Sequence, residues 1–74
     1  MKITIHSTSK VITLNGLPAR IWEGMTDKGI KIHCYVAMVG IDKDEDRVEE
    51  FKRDLLEQEA PSAAVEVIPL RVIL

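Results

Sequence analysis

The alternation of apolar and polar positions divides the chain into short strands and one helix. Ile3 and Ile5 alternate with Lys2, Thr4 and His6, the pattern of a half-buried strand. Ser7-Thr8-Ser9 is a polar break, and residues 11–14 read as a second short strand. Asn15-Gly16 follows, the pair that best tolerates positive φ at both centres of a type I′ turn. A two-residue turn there sets Leu14 opposite Leu17, Ile12 opposite Ala19 and Lys10 opposite Ile21 on one largely apolar face. Thr13 then faces Pro18, Val11 faces Arg20 and Ser9 faces Trp22 on the other. Pro18 lacks an N–H, which places its strand at an edge at that point.

Residues 24–29 read as a longer turn, and residues 30–39 as the longest strand. Ile30, Ile32, Cys34, Val36 and Met38 alternate with Lys31, His33, Tyr35, Ala37 and Val39. Residues 44–59 then predict a helix, with Val48, Phe51, Leu55 and Leu56 forming a narrow apolar stripe. Pro61 stops it near Ala60. Residues 64–68 and 70–74 read as a last extended segment interrupted by Pro69. The expected fold is a single α+β domain spanning residues 1–74. It is an antiparallel β-meander of about four strands, with one acidic helix on its apolar face and a C-terminal strand.

Charge sharpens this picture. Residues 42–59 hold nine acids and four bases, a local charge of −5, so the rest of a chain of net charge −2 carries +3. An acidic helix thus accompanies a mildly basic sheet. Two binding surfaces follow. Arg20 and Trp22 on one strand, with Lys31, His33 and Tyr35 on the next, form a basic-aromatic sheet face. Such residues anchor protein interfaces, and aromatics on an open sheet also stack nucleic-acid bases. The second surface is acidic: Asp42, Glu45, Asp46, Glu49, Glu50, Asp54 and Glu57, suited to a basic partner.

The chemistry of the chain is sparse. Asp42, Asp44 and Asp46 start like a calcium loop, but the sixth and twelfth positions hold Arg47 and Arg53 where glycine and a bidentate acid are required. His33 and Cys34 are adjacent on a strand and point to opposite faces, so the imidazole does not activate the thiol. Cys34 is the sole cysteine, which rules out an intrachain disulfide and disfavours zinc. Nucleophile elbows, phosphate loops and dinucleotide glycine patterns are absent. The expectation is a non-enzymatic protein without cofactor or metal. No signal-peptide pattern follows Met1 and no apolar run reaches the ~20 residues of a membrane span, which predicts a cytoplasmic location away from the membrane. With 74 residues and no staple, a homodimer is expected.

The opening Met1-Lys2-Ile3-Thr4-Ile5-His6-Ser7-Thr8-Ser9-Lys10 resembles that of small uncharacterised proteins of phages and prophages of Gram-negative bacteria. So do residues 14–24 and the stretch from Ala60 to Arg71. The resemblance carries no catalytic motif. It implies a small accessory protein that binds a host protein, such as a defence component, and inhibits or redirects it. A nucleic-acid-binding module using the basic-aromatic face is the alternative expectation.

Overall fold

The computed structural model describes residues 1–66. Three antiparallel strands form one sheet in chain order: β1 (Ile3–Leu14), β2 (Leu17–Thr26) and β3 (Lys31–Val36). Two helices follow, α1 (Val48–Leu56) and the single turn α2 (Ala63–Glu66).

The meander therefore has three strands rather than about four. The polar break at Ser7-Thr8-Ser9 does not end a strand; it is a bulge inside β1. Val11 pairs with Arg20 and Ser7 with Trp22, so Thr8, Ser9 and Lys10 together oppose Ile21. The displacement is two residues, which preserves the alternation of faces on either side. The Asn15-Gly16 turn forms with φ values of 51° and 80°, and the expected pairs from Leu14↔Leu17 to Val11↔Arg20 all form. Beyond the bulge, Trp22 meets Ser7 rather than Ser9.

β2 runs past Gly24 to Thr26, so the second turn shortens to residues 27–30. Thr26 organises it. Its Oγ1 accepts hydrogen bonds from the Lys28 and Ile30 amides, and its own N–H donates to the Ile30 carbonyl. β3 covers six residues and is the shortest strand; β1, with twelve, is the longest. β3 also stops opposite Arg20, so Pro18 lies beyond its reach and no ladder bond is lost there.

The long acidic helix is also corrected. α1 spans nine residues and buries none of them. The preceding acids are consumed by local turns: Asp42 Oδ1 accepts from the Asp44 amide, and Glu45 accepts from the amide and guanidinium of Arg47. Short acidic side chains that bond nearby backbone compete with helix in this way. The first part of the expected C-terminal strand is helical, since Ala63–Glu66 is α2. The remainder of that expected strand, residues 67–74, lies outside the described residues.

From α1 the chain passes along the outer edge of β1 and on to the opposite side of the sheet. The Glu59 amide donates to the Ser7 carbonyl and the Ser9 amide donates to the Glu59 carbonyl, a short parallel bridge at the bulge. Residues 57–62 thus act as a strap between the two faces. The core beneath it is small. Among the described residues, Ala19, Ile21 and Val65 are the buried apolar side chains, whereas eleven large apolar residues are exposed.

Candidate functional site: a groove between sheet and helix

Pairing register decides which side chains share a face. Directly paired residues do, so Arg20 lies with Val36, Trp22 with Cys34, and Gly24 with Ile32. Lys31, His33 and Tyr35 pair instead with Met25, Glu23 and Ile21. The expected basic-aromatic patch is therefore divided. Arg20 and Trp22 sit on one face of the sheet; Lys31, His33 and Tyr35 sit on the other. The apolar positions of the first hairpin and those of β3 also fall on opposite faces, leaving both faces mixed.

The face with Trp22 lies beneath α1. Between them runs a groove of about 220 Å³, lined among others by Val11, Pro18, Trp22, Val36, Met38 and Leu55. Its lining is unusually open. Met38 is 86% exposed, Val11 48% and Leu55 36%. Leu55 of α1 lines this gap without closing it, whereas Phe51 lines a separate hollow with Ile41. An adjoining hollow is lined by His6, Ser7, Trp22, Asp54, Glu57 and Glu59, so one end of the groove is acidic.

Arg20 has a structural task here. Its guanidinium donates to the Thr8 carbonyl at 3.0 Å, within the bulge. The buried Thr8 hydroxyl in turn donates to the Ile21 carbonyl at 2.8 Å and accepts from the Lys10 amide. The Ser7 hydroxyl donates to the Glu57 carbonyl. The bulge removes these groups from the β1–β2 ladder, and side chains and strap replace the lost partners; no buried side-chain polar atom among the described residues lacks one.

The expected acidic surface is spread over two elements. Glu49, Glu50 and Asp54 lie on α1, and Glu57 caps its C-terminal end. Asp42, Glu45 and Asp46 belong to the preceding loop. Hydrogen bonds from Arg47 hold the Glu45 carboxyl below the usual carboxylate range. Lys52 pairs with Glu49 at 3.6 Å, leaving Asp54 and Glu57 as the acids nearest the groove without an ion pair among the described residues, while Glu50 lines a separate hollow with Ile41 and Phe51.

On the opposite face, His6, Glu23 and His33 form a row across the three strands. Sequence reasoning did not join them, because their adjacency depends on both registers. Glu23 Oε2 accepts from the Ser62 amide at 2.8 Å. That bonding to Ser62, with smaller help from His6 and His33, lowers the Glu23 carboxyl below its ordinary pKa. His6 Nε2 also lies 3.2 Å from Glu59 Oε2. The row is a fastening for the strap. Among the described residues no group of three or more His, Cys, Asp or Glu side chains is placed to hold a metal ion. Tyr35, on this face, has its hydroxyl pKa raised by burial and, to a smaller degree, by Cys34.

Among the described residues no helix is long and apolar enough to cross a membrane. No family model, curated protein or solved structure matches the chain.

Proposed function

We infer that this chain is a non-enzymatic interaction protein that binds a protein partner through the groove between β2 and α1. The observation that carries the reading is the unfilled apolar gap around Trp22, with Met38 and Leu55 exposed at its rim. Tryptophan is a preferred anchor at interface centres, and an apolar centre with a polar rim is the usual anatomy of such sites. Asp54 and Glu57 beside the gap select the occupant. It is an apolar protein segment flanked by lysine or arginine, since charge complementarity steers and orients such contacts.

The resemblance to phage and prophage accessory proteins supplies the biological setting. In that setting the protein works in the host cytoplasm, and the partner is a host factor, such as a defence component, whose functional site is covered and thereby inhibited or redirected. Binding to single-stranded nucleic acid loses its basis here, because Arg20 and Trp22 no longer share a face with Lys31, His33 and Tyr35.

The test is affinity capture from host lysate with the full chain after nuclease treatment, run beside two folded variants. A protein held in stoichiometric amount by the wild type is expected. Met38→Asp, which places a charge on an 86% exposed position, should weaken it at least tenfold, as should Asp54→Lys. Undiminished capture by both variants would overturn the groove as the site. Recovery of nucleic acid alone, released by salt, would overturn the protein-binding reading itself.

A further inference from the structure

The two edges of the sheet are in different states. The outer edge of β1 is engaged by Glu59 at the bulge. Among the described residues the outer edge of β3 has no such cover. Its orientation follows from the hairpin. A two-residue turn makes Leu14↔Leu17 a hydrogen-bonded pair, so odd-numbered residues of β2 address β1 and even-numbered ones address β3. The Asp27 amide bonding to Lys2 and the Thr26 amide to Ile30 continue that alternation. Val36, Cys34 and Ile32 oppose the even positions, so Lys31, His33 and Tyr35 turn their N–H and C=O groups outward. Among the described residues no backbone hydrogen bond beyond the β2 ladder reaches these three.

This edge also lacks the devices that normally blunt an edge strand. It has no proline and no bulge, and its one fixed charge, Lys31, stands at an end.

We propose that β3 pairs antiparallel with β3 of a second copy, joining two three-stranded sheets into one of six strands. The two-fold axis stands perpendicular to the sheet, so paired residues must share a face. The register that fits sets Cys34 opposite Cys34, Ile32 opposite Val36 and His33 opposite Tyr35. Apolar and β-branched side chains then meet across the strands on one face, and imidazole meets phenol on the other. The two lysines at position 31 lie at opposite ends. The neighbouring register would set His33 against His33 and Lys31 against Tyr35, and Val36 would lose Ile32 as its partner. Cys34 falls in a non-hydrogen-bonded pair with Cα atoms about 4.5 Å apart, within reach of a disulfide. The dimer edge meets the groove at Val36, which belongs to both, but sedimentation and edge-amide exchange read the edge while capture reads the groove, so either assignment can fail without the other.

The full chain in reducing buffer should sediment as a dimer at high concentration and dissociate on dilution. The amides of Lys31, His33 and Tyr35 should exchange slowly in the dimer and faster as it dissociates. Diamide, accepting the two electrons and two protons, should link Cys34 to Cys34 between copies. His33→Pro removes an outward N–H that β2 does not use, and should weaken dimerisation at least 100-fold. If that variant does not fold, amide exchange of the wild type decides. A monomer at every concentration would overturn the proposal. So would a dimer whose three edge amides exchange like loop amides, or edge amides protected in the monomer by another part of the chain.

Discussion

Gly24 has no room for a side chain. A Cβ built there would run into the Thr4 carbonyl oxygen, and the atoms that block it are backbone. The clash falls where Gly24 pairs with Ile5, on the far side of the bulge. A backbone wall cannot yield as a flexible side chain does. Gly24→Ala is expected to destabilise the fold by about 3 kcal/mol, the upper end of ordinary overpacking. Gly16→Ala meets no atom within 4 Å and bears only the strain of its φ of 80°. Urea midpoints of the two variants check the contrast. A Gly24→Ala protein as stable as Gly16→Ala would mean that β1 shifts freely at this point. Thr8 occupies the other exacting position: it is fully buried, and its hydroxyl serves a carbonyl and an amide at once.

At the scale of elements, the strap is the unusual feature, because it ties α1 on one face to α2 on the other. Its fastening includes the carboxylate of Glu23 on the Ser62 amide. The Glu23 carboxyl is lowered, so it binds its proton more weakly in the folded chain than in the unfolded one. Its contribution is therefore complete above the ordinary glutamate pKa of about 4.3 and is lost as pH falls through the lower folded value. Glu23→Gln keeps the shape and removes the charge. It should cost about 1 kcal/mol at pH 7, and the gap to the wild type should be narrower at pH 3, below the ordinary glutamate value. A gap of equal size at both values would show that charge plays no part in holding the strap. The elements themselves were unevenly legible in the sequence. Asn15-Gly16 fixes the first hairpin through local turn chemistry, and its register was readable for that reason. The bulge was not, since Ser7-Thr8-Ser9 is as polar as a loop and becomes strand only through partners at Ile21 and Glu59. The loop between β2 and β3 was worse. It contains no turn pair that dictates its length, and one residue more or less exchanges every face of β3. That single ambiguity joined Arg20 and Trp22 to residues that point away from them. The reach of α1 was overstated because Asp42 and Glu45 resemble helix-initiating acids by type yet bond their own loop.

For the whole molecule, the balance between core and surface is the governing fact. The radius of gyration is 13.5 Å, against about 11 Å for a compact chain of this length. The helix with the strongest amphipathic stripe buries no residue, and the fully enclosed apolar side chains of the described region are small in number and size. A small single core of this kind rarely supplies more than about 3–5 kcal/mol. If the second copy completes the sheet, folding and association are one equilibrium, and stability must rise with protein concentration. A tenfold increase adds about 1.4 kcal/mol per dimer, or about 0.7 kcal/mol per chain, which should raise the melting midpoint by about 3–5 °C. Scans of the reduced chain over a hundredfold range of concentration would read this directly. The same scans on His33→Pro should be flat, with a midpoint near that of the most dilute wild type. A wild-type midpoint independent of concentration would show instead that three strands, a strap and two short helices suffice for one copy alone. The open groove and the open edge would then both be surfaces kept exposed for other proteins.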